Sequence, residues 1–188
     1  MELTKLKDNI DDISREYLEL VKYQLTTIKF HGREIYDCLE TGSLTNRLAE
    51  IIASRNGAWI ERKENWTVFP LIFRDKDVKV NQNLCPRTTD ILKQLDKVVH
   101  TAAITVLSQG ELGWHDDKTA LPTKTTLVYH LPIVNFGNDS YIVFNHDGVE
   151  KKYMYERGEH YFFDTRIPHN VYNNSLLPRV ILYIEYEP

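Results

Sequence analysis

The sequence has little cysteine, no long apolar run and no large excess of either charge. Its two cysteines, Cys38 and Cys85, are too few for a disulfide framework and lie at no metal-site spacing. No apolar stretch approaches the ~20 residues of a membrane-spanning helix. The N-terminal stretch MELTKLKDNIDDISREYLEL carries acids where a secretory signal would carry an apolar core. Lysine and arginine number 23 against 27 acids, a net charge of −4, so there is no basic footprint for nucleic acid. Internal repeats, low-complexity segments and linkers are also missing. These absences predict one cytoplasmic domain over residues 1–188, with neither a membrane nor a nucleic acid as partner. At 188 residues, 42% of them hydrophobic, the chain can bury a sizeable core.

Two regions follow from the patterning. Residues 1–58 read as helical. Leu3, Leu6, Ile10, Ile13, Tyr17, Leu20 and Gln24 alternate spacings of three and four residues, which makes an apolar stripe along a helix. The stripe suits packing against the domain better than a dimer zipper, for which three heptads are barely enough. TGSLTNRLAEIIASRNG gives a second helix, with Ser43 or Thr45 as its cap and a stop at Gly57. From 59 to 188 the pattern is mostly strand. WTVFPLIF is rich in aromatic and β-branched residues. CPRTTDILKQLDKVV makes a short helix with Thr88 or Thr89 as cap. Seven or so short strands then follow residue 101, separated by turns, and suggest a sandwich or jelly roll. Among the turns, NHDG (145–148) is a tight-hairpin signal, because Asp147 and Gly148 can both take positive φ.

Three stretches could carry chemistry. In GWHDDK, an extended chain would put His115 and Asp117 on one face and Asp116 on the other. His130 interrupts the apolar strand TTLVYHLPIV, so it needs a polar partner if it is buried. IPHNVYNNSLLPRVILYIEYEP reads as strand, turn and strand. In a hairpin centred on Asn174, His169 and Arg179 would face each other on adjacent strands. Two histidines and a carboxylate form the facial grip of non-haem Fe(II) oxygenases, and a nearby arginine suits a carboxylate. The plainer reading stays open: Arg179 pairs with a surface acid such as Glu156 or Asp164, and His169 is a satisfied interior histidine. His31, His100, His146 and His160 read as surface or packing residues. Trp114, Tyr129, Tyr161 and Phe163 could line a pocket but read first as core.

The order CPRTTDILKQL, ITVLSQG, His115, YHLPI, GEHYFFDTRIPHNVYNN and Arg179 resembles the aspartyl/asparaginyl β-hydroxylase family of Fe(II)- and 2-oxoglutarate-dependent dioxygenases, which includes free-proline hydroxylases. The resemblance runs from about Trp66 to Pro188, with the N-terminal helices outside it. It implies a mainly β fold, a double-stranded β-helix of the jelly-roll, cupin-like type with N-terminal helices packed on it. It assigns Fe(II) to His115, Asp117 and His169, and 2-oxoglutarate to Arg179, His130 and Thr105, with O₂ taking the remaining metal site. The implied activity is hydroxylation of an unactivated C–H in an amino acid, free or within a peptide or protein. Asp117 matches the His-x-Asp of the free-proline hydroxylases. Val128 stands where the peptidyl hydroxylases carry an arginine for an acidic substrate. Lys118 and Lys124, in the loop between His115 and His130, could meet an anionic substrate group. Two alternatives belong to other classes: a cupin-type metal protein without oxygenase activity, and an interaction module working through the N-terminal helix.

Overall fold

The computed structural model describes residues 2–29, 43–117, 126–135, 139–164 and 166–188. The apolar stripe begins as a 3₁₀ segment, Leu3–Asn9, and continues as helix α1, Ile10–Lys22. Leu3, Leu6, Ile13, Tyr17 and Leu20 are all buried in one cluster with sheet residues such as Phe69, Leu131 and Leu182. The stripe therefore packs on the domain, as its spacing predicts, and each such side chain contributes roughly 1.5–3 kcal/mol by leaving water. Gln24 lies beyond the helix at φ +41.

The region expected to be helical also contains a strand, β1 (Thr26–Lys29), ahead of helix α2 (Ser43–Ser54). Strand β1 pairs in parallel with β2 (Ala58–Lys63). A parallel pair needs a long crossover, and α2 belongs to that connection. Helix α2 packs through Leu48 and Ile52 on Ile28, Ala58 and Ile60. The helix ends ahead of Gly57, the expected stop, which takes φ +102.

Strands β3 (Trp66–Phe73) and β4 (Lys76–Asp77) come next, then helices α3 (Lys79–Leu84) and α4 (Pro86–Lys93). Neither Thr88 nor Thr89 caps α4, whose N-cap residue is Cys85. The capping group is the Glu16 carboxylate of α1, which accepts from the Arg87 and Thr88 amides at 2.7 and 2.8 Å. Thr88 donates its own hydroxyl to Glu16, and Thr89 donates to Gln82 O. A helix N-terminus takes an anion from any part of the chain, so local sequence could not name this one.

The remaining strands are β5 (Val99–Leu107), β6 (Gly110–Glu111), β7 (Leu127–Asn135), β8 (Ser140–His146), β9 (Val149–Met154), β10 (Tyr161–Asp164), β11 (His169–Asn173) and β12 (Arg179–Tyr186). They divide between two sheets. One runs β1-β2-β3-β5-β12-β7-β10, with β4 on β3, and the other runs β6-β11-β8-β9. This is a double-stranded β-helix, the jelly-roll architecture expected. The β8–β9 hairpin turns at Asp147 and Gly148, with φ of +52 and +86, as NHDG predicts.

Alternation gives the large sheet two different faces. Val180, Leu182, Ile184 and Tyr186 of β12 point outward to α1 and α4. Ile181, with Tyr183 beside it, points inward to Ile142, Phe144 and Val171 of the small sheet. No helix among the described residues is long and apolar enough to cross a membrane.

Candidate metal and anion site

The chain reaches the start of β11 beside residues 113–117. The His115 amide donates to His169 O at 3.0 Å, and the His169 amide returns the bond at 2.8 Å. The two side chains then stand together, with ring centroids 4.3 Å apart. No regular strand forms at 113–117; His115 makes a single isolated bridge. In each ring Nδ1 faces the carbonyl two residues earlier, Gly113 O at 2.7 Å and Ile167 O at 2.9 Å. A carbonyl can only accept, so both Nδ1 atoms carry the hydrogen and both Nε2 atoms keep a lone pair.

Asp117 closes the set. Its oxygens lie 3.9 Å from His115 Nε2 and 3.6 Å from His169 Nε2. The three donor atoms fall within 4.8 Å of one another, and Asp116 does not belong to the group. Burial lowers the proton affinity of His169, which favours the neutral imidazole that ligates metal. Two imidazoles and one carboxylate fit a divalent first-row metal and leave positions for other ligands.

His169 and Arg179 are not on adjacent strands, contrary to the hairpin expected from their spacing. Strand β11 pairs with β6 and β8, whereas β12 pairs with β5 and β7. The connection at 174–178 crosses from one sheet to the other. Asn173 anchors its start by donating to Leu107 O and Leu177 O, each at 2.9 Å. His169 and Arg179 therefore face the interior from opposite walls.

Arg179 is 5% exposed, and it pairs with neither Glu156 nor Asp164. Its guanidinium hydrogen-bonds Tyr155 and lies 5.0 Å from the centre of that ring. Nε and Nη1 have no partner. A buried cation with two idle donors marks a place for an anion. His130 receives the polar partner it needs: its Nδ1 lies 2.9 Å from the Tyr155 hydroxyl. A guanidinium only donates, so Tyr155 accepts from Arg179 and gives its own hydrogen to His130. Burial, then the charge of Arg179 and the two other histidines, pushes the His130 pKa well below its usual value. Thr105 is buried on β5, in register with Ile181 of the inward row.

Tyr155 was not among the sequence candidates. Its only sequence signal is a tyrosine just after an alternating strand, and the partners lie 24 or more residues away. Phe144 and Phe163 pack on the His169 ring at 5.8 and 4.9 Å. Tyr129 instead faces outward into the helix-covered core, away from the site, and Trp114 is exposed. His100 is buried between Asp75 and Glu187, and His160 stacks on Tyr129. His31, Lys118 and Lys124 lie outside the described residues.

The family model described as Aspartyl/Asparaginyl beta-hydroxylase matches residues 7–188. The match reaches back through α2 and α1, so the N-terminal helices belong to it, against the expectation that they lay outside. No curated protein matches the sequence significantly. Among solved structures, an oxidoreductase of the 2OG-Fe(II) oxygenase family from Burkholderia pseudomallei is similar over 68% of this chain and 70% of its own, at 14% identity and TM-score 0.49. The non-haem α-ketoglutarate-dependent epimerase SnoN of nogalamycin biosynthesis covers 76% of this chain and 70% of its own, at 12% identity and TM-score 0.49. A Cupin_2 domain of an XRE family transcriptional regulator from Enterobacter cloacae covers 66% and 99%, at 16% identity and TM-score 0.41.

Proposed function

Because this chain belongs to the aspartyl/asparaginyl β-hydroxylase family, we propose that it is an Fe(II)- and 2-oxoglutarate-dependent dioxygenase. Its substrate is an amino acid, free or within a peptide or protein, hydroxylated at an unactivated C–H. The observation that carries this reading is the Arg179 guanidinium, which has no acid beside it and whose Nε and Nη1 have no partner, buried inside the barrel that also holds the converging His115, Asp117 and His169. Holding a lone charge out of water costs several kcal/mol, and a dicarboxylate reaching from the metal to Arg179 would offset that cost.

His115, Asp117 and His169 would hold Fe(II), with both histidine tautomers already set by backbone carbonyls. Arg179 would bind the far carboxylate of 2-oxoglutarate, with the Tyr155 hydroxyl beside it. His130 would help position the co-substrate from the next strand, with Thr105 offering a hydroxyl one row away. When bound, Fe(II) with 2-oxoglutarate and O₂ supplies the oxidising chemistry and yields succinate and CO₂ alongside the hydroxylated product. Phe144 and Phe163 keep bulk water from the His169 ring.

The two alternatives fit less well. A metal-binding cupin-type protein without oxygenase activity has no use for a buried, unpaired arginine. An interaction module would need its apolar helix stripe exposed, and that stripe is buried. Anaerobic titration with Fe(II) and 2-oxoglutarate tests the proposal through the visible charge-transfer band of the chelate. The band is expected in the parent, lost in His169→Ala and weakened in Arg179→Met. A parent protein that binds both yet shows no band sinks the reading.

A further inference from the structure

Glu185 is a buried acid that the metal and the co-substrate leave unused. It stands on the inward row of β12, two residues beyond Tyr183, in register with Thr101 of β5 and Val128 of β7. It is 6% exposed. Thr101 and Thr126 hydrogen-bond its carboxyl, yet Oε1 has no partner. Asp117 is close enough for its charge to act on Glu185, although Glu185 is not among the three converging donors. The cationic and titratable groups around it have hydrogen-bond or ring partners of their own. His100 is held between Asp75 and Glu187, Arg74 lies over the Phe73 ring, and Tyr183 precedes Glu185 on the same row. The charges of His100 and Arg74 act on Glu185, but no cation hydrogen-bonds Oε1. Val128, directly opposite on β7, is fully buried and apolar. This part of the wall thus offers an acid and an apolar neighbour.

An unpartnered buried carboxylate oxygen is as costly as an unpartnered guanidinium. At the Arg179 end of the row the missing partner is an anion. At the Glu185 end, beside the metal grip, it is a cation. We propose that Glu185 receives a cationic nitrogen of the substrate, so that the enzyme acts on an amino acid presenting an ammonium or guanidinium group rather than one presenting an acidic side chain. The inference rests on the oxygenase reading and adds the substrate class to it. The nitrogen has two possible sources, the α-ammonium of a free amino acid or a basic side chain within a peptide. Both would dock the same way, with the target C–H held within a few bonds of the anchored nitrogen.

Anaerobic calorimetry on protein loaded with Fe(II) and 2-oxoglutarate tests this without turnover. The probes are the free amino acids, the Nα-acetyl amides of lysine and arginine, and those of aspartate and glutamate. At least one amine- or guanidine-bearing probe is expected to bind, and to bind at least tenfold more weakly to Glu185→Gln, while Glu185→Asp keeps part of the affinity. The charge-transfer band should be the same in all three proteins. Binding confined to free amino acids identifies the α-ammonium; binding of the capped bases identifies the side chain. The melting temperature of Glu185→Gln should equal or exceed that of the parent, whereas a merely structural glutamate would lower it. The proposal is overturned if the capped acids are preferred, if no cationic probe binds, or if cationic probes bind Glu185→Gln as well as the parent. A parent without the band would remove the oxygenase reading itself, and this inference with it.

Discussion

The two faces of the large sheet use the same strands to opposite ends. Outward, β12 presents Val180, Leu182, Ile184 and Tyr186 to a helix layer that covers them completely. Inward, the alternate positions hold Arg179, Ile181, Tyr183 and Glu185, with His130 and Thr105 on neighbouring strands. The outer face is apolar apart from neutral groups such as the Tyr129 hydroxyl, which has no partner. The inner face buries charged groups with idle hydrogen-bonding atoms at both ends of one row. Folding alone gains nothing from that arrangement, since buried polar groups are ordinarily paired. The outer face accounts for why the chain folds, and the inner face for what it folds around.

Substitutions should separate the two faces cleanly. The largest effect belongs to His169→Ala, which removes a central donor of the metal grip. Co-substrate turnover should fall below detection and Fe(II) binding should be lost by calorimetry, while the far-ultraviolet circular dichroism stays that of the parent. Ile13→Ala, on the helix that covers the outer face, should cost about 2–5 kcal/mol of stability in urea unfolding, as expected for truncation at a fully buried site. Its Fe(II) affinity should match the parent's under conditions where both are folded. A change in affinity would show that the faces are not independent.

Arg179→Met should act with opposite signs on its two readouts. Replacing an unpaired buried charge by an apolar chain of similar length is expected to stabilise the metal-free protein by about 1–4 kcal/mol. Affinity for 2-oxoglutarate should fall by about 2–5 kcal/mol, read from the charge-transfer titration. A destabilised Arg179→Met would mean that the guanidinium is a structural group satisfied by Tyr155.

The smallest effect is one of pH. Burial holds His130, and to a lesser degree His169, in the neutral form. Their folded-state pKa values lie below that of an unfolded histidine, ~6.5. The unfolded chain thus takes up protons that the native state refuses, and stability present above that pH is lost as pH falls below it. Each group can remove up to about 1.4 kcal/mol per pH unit. Urea midpoints of the metal-free protein between pH 8 and 5 should show this decline, and His130→Gln should flatten it. An unchanged slope in that variant would place the titration elsewhere.

Much of this was legible in the sequence. The helix stripe from Leu3 to Leu20, the strand run after residue 101 and the Asp147-Gly148 turn all follow from local periodicity and backbone preference. The convergence of His115 and Asp117 followed from a spacing of two; the strand-turn-strand pattern around Asn174 brought in His169 and Arg179, and the likeness to a hydroxylase family then gave them roles. Local geometry misleads where it is extended across a connection. Ten residues centred on Asn174 look like a hairpin, but the chain there changes sheets, because each sheet already supplies other partners for β11 and β12. Glu16 as the cap of α4, and Tyr155 between Arg179 and His130, depend on contacts spanning 71 and 24 or more residues, for which no local pattern exists.

The sequence by itself determined which residues alternate, where the turns fall and which side chains have the chemistry to hold a metal and an anion, because these depend on neighbours a few positions apart. Only the tertiary structure decided that His169 and Arg179 face the interior from opposite walls, that Tyr155 joins Arg179 to His130, and that Arg179 and Glu185 are left without full partners. Burial and pairing are properties of the assembled sandwich, fixed when two sheets close over one interior.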